Sequence, residues 1–319
     1  MVNCLNPTLS AIVVNRNTAD LLVRCLEHIY GSDMDSPPQV IVVDNGSTDT
    51  SVSRVRSAFP QTEIVEAGRN LGFAAANNRA FEKARGEYLL LVNTDAMLRP
   101  DCAGKLVGLL TERPEVGMAG PRLLNEDGSP QTSFEAVPTL ATETLNRSLL
   151  KRLFPKRFPG KHLRLSEPQE VEALIGAVMI IRRTALDQLG GFDEDYFFFL
   201  EETDLAVRMR KHGWKVLHEP HAAAVHLQGA TAKTYQSSAR IEFYRSRYLF
   251  FGKHYGKAKQ VVLKSVMTAN LTLNVVTLGI AAAATLGKAE GVAGRYRVRR
   301  DLWRWHREGC PDGYGLPRD

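Results

Sequence analysis

The chain has 319 residues, 44% hydrophobic and 24% charged, an ordinary globular balance that excludes a disordered polypeptide and accommodates one large domain with an appendage. The excess of 41 Lys and Arg over 35 Asp and Glu gives a net charge of +6, a mild basic bias that suits a nucleotide, a phosphorylated lipid or an anionic membrane without choosing among them. Cys4, Cys25, Cys102 and Cys310 form no Cys-x-x-Cys pair, which argues against a zinc knuckle or a disulfide framework, and Met1 to Thr8 show no basic region leading into an apolar core; the expectation is a reducing cytoplasm and no export.

Leu9 to Val14 reads as a buried strand, with Asn17 as the N-cap of a helix carrying Leu21, Leu22, Cys25, Leu26 and Ile29 and closed by Gly31. Val40 to Val43 is a second strand ending at Asp44-Asn45-Gly46-Ser47, a helix runs from Thr48 toward Phe59-Pro60, and Ile64-Val65 is a third strand. Helix Phe73 to Ala84, strand Tyr88 to Val92 and helix Asp101 to Leu110 complete a series that predicts an α/β fold with a mostly parallel sheet covered on both faces. Val171 to Ile181 reads as another strand, followed by a short helix through Leu189, an acidic helix from about Glu202 and a strand Lys215 to Leu217.

The basic, acid-free stretch from Arg147 to Arg164 carries Pro155, Pro159 and Gly160 and reads as a loop, either solvated or docking a lipid phosphate. Val261 to Leu286 is long enough to cross a bilayer, but Lys264, Asn270 and Asn274 favour a helical pair that packs on the domain or lies at a membrane surface. The tail then turns basic and aromatic, with Arg295, Arg297, Arg299, Arg300, Trp303, Arg304, Trp305 and Arg307, suited to an anionic interface or to plain solvation. The expected division is a domain over 1–255 and a helical, membrane-associating region over 256–319.

Three strand ends carry polar groups in order, Asn15 to Asn17, Asp44-Asn45 and Asn93 to Asp95, and can converge on one ligand at the carboxyl edge of the sheet. An acid there can hold a hard divalent cation bridging two phosphate oxygens. A second acidic site follows Gly190-Gly191-Phe192-Asp193 and the aromatic run Tyr196 to Phe199: Glu201-Glu202-Thr203-Asp204 at a helix start. These are either solvated carboxylates favoured by the helix dipole or, delivered by an apolar run, a candidate general base. Gly68-Arg69-Asn70-Leu71-Gly72 is neither a Walker loop nor a dinucleotide fingerprint, so hydride transfer and P-loop chemistry lose support.

Six blocks in order resemble the family 2 inverting glycosyltransferases of GT-A fold, near their rhamnosyltransferase-like group: Ile12 to Asn17, Val43 to Asp49, Asn70 to Phe73 with Asn77-Asn78, Asn93 to Asp95, Gly190 to Asp193, and Glu201 to Leu205. The resemblance spans roughly Leu9 to Tyr255. It implies transfer of a sugar, rhamnose among the candidates, from a dTDP- or UDP-linked donor to a saccharide or polyprenyl-diphosphate-linked acceptor in cell-surface polysaccharide synthesis. Asp44 would bind the donor's base, with Asn15, Asn17, Asn45, Asn70, Gly72, Asn78 and Asn93 around the donor. Asp95 would hold a divalent metal, Mg2+ or Mn2+, assisted by His226. Glu202 would be the general base, with Glu201 and Asp204 supporting it. Asn93 stands where the family's metal motif has its first acid, Arg16 where many relatives carry an aromatic residue, and Glu202 where they usually have Asp. The implied location is cytoplasmic, peripheral at the inner face of the cytoplasmic membrane, with no nucleic-acid partner. A nucleotidyltransferase and a catalytically silent nucleotide-sugar-binding scaffold are the alternatives.

Overall fold

A computed structural model describes residues 8–145, 152, 165–227, 236–284 and 290–318. The amino-terminal part is β1 (Leu9–Asn15), α1 (Ala19–Tyr30), β2 (Gln39–Asp44), α2 (Ser51–Ala58), β3 (Glu63–Glu66), α3 (Phe73–Phe81) and β4 (Tyr88–Val92). Strands β2 and β4 are buried along their whole length, which is why they read as continuous apolar runs rather than alternating ones. Helix α1 buries Leu22, Cys25, Leu26 and Ile29, the single stripe that a helix lying on a sheet requires.

The chain continues through β5 (Ala96–Leu98), α4 (Cys102–Glu112), β6 (Val116–Leu124), β7 (Phe134–Glu135), α5 (Leu140–Thr144), β8 (Gln169–Glu170), β9 (Ala173–Leu174), β10 (Val178–Arg182), α6 (Arg183–Leu189), α7 (Glu201–Lys211) and β11 (Lys215–His226). Three helices follow: α8 (Gln236–Tyr255), α9 (Lys257–Ala284) and α10 (Glu290–Arg307). The sheet order is β3-β2-β1-β4-β10-β6-β11-β5, with β8 on β11. β3, β2, β1 and β4 are mutually parallel and β6 is parallel to β11, while β10 runs antiparallel to both of its neighbours. Chain order reverses between β1 and β4, the switch point where open α/β sheets leave a crevice beyond their carboxyl ends.

Several expectations change on contact with this geometry. Asn17 is not the N-cap of α1; Thr18 holds that position, and Asn17 turns left-handed (φ 54) to accept the Thr48 N–H at 2.7 Å. The helix expected from Thr48 starts at Ser51, because Asp49 accepts the N–H groups of both Ala19 and Ser51 and so ties the starts of α1 and α2 together. The run Val171 to Ile181 is split: β9 pairs with β7 in a separate two-stranded sheet and β10 joins the main one. Strand β11 extends nine residues past Leu217, to His226, through a pairing irregularity between Glu219 and Ala223 that hides it from a period-two reading.

The stretch 261–286 is not a helical pair by itself. It lies mostly within α9, a 28-residue helix whose partner is the basic tail helix α10. Leu263, Met267, Leu271, Leu302 and Trp305 are buried in the same apolar cluster as Ile41, Leu89 and Met179 of the sheet, so these helices are packed on the α/β domain. The stretch Arg147 to Arg164, apart from Arg152, lies outside the described residues.

Candidate active site

The carboxyl edge of β1 and β2 is a knot of short polar side chains. Asn15 is fully buried and donates to Asp44 Oδ1 (3.3 Å) and Ser47 Oγ (3.0 Å), while its Oδ1 accepts the Thr18 hydroxyl (2.7 Å). Ser47 N–H in turn donates to Asp44 Oδ2. Asp44 is thus clamped in one orientation with a spare lone pair on each oxygen. Thr18 Oγ1 also lies 3.1 Å from Thr94 Oγ1 across the switch point, close enough to accept that hydroxyl, joining this knot to the turn that carries Asp95.

Asn45 donates to Asn70 Oδ1 and to the Gly72 carbonyl and accepts the Leu71 N–H, so it moulds the loop 70–72 from beneath. Gly72 sits at φ 83, and a Cβ there would come within 2.3 Å of the Phe197 carbonyl, the acceptor of the Phe73 N–H. Gly72→Ala is therefore expected to cost about 3 kcal/mol or more, read as a lowered urea midpoint at unchanged m-value. A midpoint within about 0.2 M of the wild type would show that the contact is not needed. Asn78 is bonded to another segment: its amide donates to the Phe192 carbonyl and to Glu194 and accepts the Phe192 N–H. Its observed work is to staple α3 to the Gly190–Asp193 turn.

Asp95 and His226 meet because β11 pairs antiparallel with β5, setting His226 opposite Ala96, and because the Leu227 N–H bonds the Asp95 carbonyl. His226 Nε2 lies 3.4 Å from Asp95 Oδ1. The other ring nitrogen is 3.2 Å from Gln131 Oε1, and Gln131 also donates to the His226 carbonyl and to Asn125. A proton on Nδ1 held by Gln131 leaves the Nε2 lone pair beside the carboxylate, the arrangement that orients metal-binding imidazoles. A carboxylate and an imidazole fit a divalent ion that takes its remaining ligands from diphosphate oxygens and water. Among the described residues no group of three or more His, Cys, Asp or Glu side chains could hold a metal on protein ligands alone.

The acidic helix start is aimed by backbone strain. Phe199 (φ 73) and Leu200 (φ 67) are consecutive left-handed non-glycine residues, each costing roughly 1–3 kcal/mol. The turn is over-determined: Ser246 donates to the Phe198 carbonyl, and Phe198 packs edge-to-face on Phe73 and Phe199 on Phe243. The Glu202 carboxyl group lies against Gly176, 3.4 Å from where a Cβ on that residue would stand, and the nearby backbone N–H groups of Glu202, Thr203 and Gly176 favour its charged form. The next residue, Ala177, accepts the Asn93 N–H at 2.9 Å. Glu202 and the Asn93–Asp95 turn are therefore held on two backbone segments joined by that hydrogen bond.

Burial raises Glu202 to about 7, the nearby Glu135 charge adding to it and the backbone N–H groups opposing it. Burial, then the Glu202 charge, pushes Glu201 well above the usual carboxylate range, and its Oε2 has no hydrogen-bond partner among the described residues. Asp204 goes the other way: burial would raise it, but hydrogen bonds from His254 and Arg208 (2.7 Å each) outweigh that and hold it low. Arg208 continues to the carbonyls of Leu189 and Gly191, so Asp204 fastens α7 to α8 and to the glycine turn. Both of its oxygens are spent on these buried pairs. Thr18, Ser47, Thr94, Gln131, Glu135 and Gly176 complete the site; only spatial proximity marks them, since hydroxyls and amides in loops carry no spacing signal.

The open α/β crevice thus carries a clamped acid at the end of β2, an acid–imidazole pair after β4 and a carboxylate poised near neutrality. The glycosyl transferase family 2 model matches residues 10–190, and the chain belongs to that family. It is 27% identical over 255 residues, 75% of this chain and 82% of the relative, to an N-acetylglucosaminyl-diphospho-decaprenol L-rhamnosyltransferase of Mycobacterium tuberculosis. A low-salt glycan biosynthesis hexosyltransferase of Haloferax volcanii is 25% identical over 78% of this chain and 77% of its own length. Among solved structures, a mannosyltransferase of Pyrobaculum calidifontis in complex with GDP-Man and Mn2+ superposes with a TM-score of 0.57 at 19% identity, covering 96% of this chain and 88% of that one, which shows the fold.

Proposed function

We propose that this glycosyltransferase moves a hexosyl group, L-rhamnose first among the candidates, from a dTDP- or UDP-linked donor to a saccharide carried on a polyprenyl diphosphate. The observation that carries the reading is the pairing of Glu202 with the Asn93–Asp95 turn through the Gly176–Ala177 segment. Displacing a nucleoside diphosphate needs charge neutralisation at the leaving group and a base at the incoming hydroxyl. Glu202 takes the proton from the acceptor hydroxyl; the freed oxygen attacks the anomeric carbon from the face opposite the diphosphate, and the configuration inverts. Asp44 orients the base of the nucleotide, and Asp95 with His226 would hold a divalent cation. When bound, that cation would neutralise negative charge on the departing diphosphate. The lipid-linked acceptor and the rhamnosyl donor are supported by the activity for which the mycobacterial relative is named. A panel of dTDP- and UDP-sugars, tested for thermal protection and then for nucleoside diphosphate release with an N-acetylglucosaminyl diphospho-lipid, tests the assignment. Rhamnosyl transfer is the expected result; neither protection nor release by any donor would overturn it.

The location proposed is the inner face of the cytoplasmic membrane. Helix α9 is long and apolar enough to cross a bilayer, with a mean hydropathy of 1.6, yet one face is buried on the domain and Lys264 lies over the Tyr248 ring. Its other face exposes Val262, Leu273, Val276 and Ile280. Beside it α10 exposes Arg295, Arg297, Arg300, Arg304 and Arg307, and Trp303 bonds Thr272 of α9. An apolar stripe flanked by arginines is the composition of a helix pair lying in an anionic interface. Replacing Leu273, Val276 and Ile280 with glutamate is expected to weaken sedimentation with phosphatidylglycerol vesicles at least tenfold while leaving thermal stability unchanged. Identical partitioning would exclude docking by this face. Truncation after Gly256 is a poorer test, because it would also remove Trp305 from the core.

A further inference from the structure

Residues 309–318 leave α10 and fold back over the site side of the molecule. Trp305 Nε1 bonds the Pro311 carbonyl, and Arg245 of α8 donates to the carbonyls of Pro311, Asp312 and Tyr314. Gly315, at φ 112, lies flat on the Arg245–Glu242 ion pair, where a Cβ would come within 2.7 Å of both side chains. Three contacts then bring this segment to the machinery described above. The Pro317 carbonyl accepts the Asn70 amide at 2.7 Å; the Arg318 guanidinium covers the Phe197 ring at 4.5 Å; and Arg318 Nη2 reaches Glu242 Oε1 at 2.8 Å. The Glu242 carboxylate is buried, with its other oxygen on Arg245.

We propose that residues 309–318 form a strap and that Arg318 is a positioning residue for glycosyl transfer, locking the loop 70–72 and the turn that delivers Glu201 and Glu202 against helix α8. The strap touches both sides of the Gly72–Phe197 contact: Asn70 on one and Phe197 on the other. It also supplies the second of two cations on Glu242, a buried carboxylate whose charge raises Glu201, the chain neighbour of Glu202. The groups around that pair are Glu135 of β7, Glu242 with Arg245 of α8, and Asp204 with its partners Arg208 and His254; Arg318 is the cation among them that comes from outside the α/β domain. Removing it leaves Glu242 with less compensation and favours the protonated form of the acidic pair.

The inference rests on Glu202 acting as the base. It is tested by the pH dependence of kcat for Arg318→Ala, Arg318→Lys and Arg318→Ala/Glu242→Gln in the full chain, with dTDP-rhamnose and an N-acetylglucosaminyl diphospho-lipid. Arg318→Ala is expected to move the acid limb of kcat upward, so that the rate falls roughly three- to tenfold at pH 6.5 and recovers most of that loss by pH 8.5. Arg318→Lys keeps the charge and is expected to hold the wild-type limb, and the double variant, which removes the uncompensated carboxylate as well, to return it. An unshifted limb in Arg318→Ala, or a loss equal at every pH that lysine does not relieve, would overturn the positioning role. A wild-type chain that transfers no sugar would instead overturn the functional reading on which it rests.

Discussion

Glu202→Gln is expected to lower kcat by about a hundred- to ten-thousand-fold, the usual cost of losing a positioned base, with donor KM nearly unchanged. The amide keeps the shape of the side chain but cannot take a proton from the acceptor. Because burial and the Glu135 charge raise Glu202 to about 7, the wild-type kcat should climb with pH through neutrality as the carboxylate forms. The stability linkage has the opposite sign. A carboxyl group raised in the folded state favours folding below its unfolded value of 4.5, and that contribution is lost as pH rises through about 7. Glu202→Gln should therefore match the wild type in stability at pH 8 or exceed it by on the order of 1 kcal/mol, separating a chemical defect from a folding one. Near-normal kcat in Glu202→Gln alongside an inactive Glu201→Gln would move the base one residue back, to a carboxyl group that burial pushes well above the usual carboxylate range.

Asp95→Ala is expected to cost at least a hundredfold in kcat/KM, since several kcal/mol of leaving-group stabilisation is at stake and each 1.36 kcal/mol is about tenfold. Titration with Mn2+ carries the specific reading: wild-type activity should saturate, and the variant should show no saturation at millimolar metal. His226→Ala should be milder, because Gln131 fixes an imidazole that assists a carboxylate ligand. Full activity of Asp95→Ala in excess chelator would remove the cation from the site.

The part of the fold legible in the sequence is the part where local pattern and tertiary environment agree. β1, β2 and β4 are buried on both faces and carry uninterrupted apolar runs, and α1 shows its stripe without ambiguity. β6 escaped because Gly117, Gly120 and Pro121 interrupt Val116–Leu124, and the part of β11 beyond Leu217 because Pro220 and a pairing irregularity break its alternation. At the site, the strand-end pattern carries Asp44 and the Asn93–Asp95 turn to one edge of the sheet, because parallel β2, β1 and β4 end there. What proximity assigns to Asn15, Asn45 and Asn78 is different: their amides are spent on other protein groups, and spacing cannot tell an amide that contacts a ligand from one that braces a loop. Nor could it show Gln131, set beside His226 by a contact spanning 95 residues, or the return of residues 317 and 318 to Asn70 and Glu242.

The most direct measurement is the anomeric configuration of the product, read from one-bond carbon–proton coupling at the transferred sugar's anomeric centre. With Glu202 as a base for single displacement, every glycosidic bond formed should have the configuration opposite to that in the nucleotide donor. Retained configuration would contradict single displacement and, with it, the role assigned to Glu202.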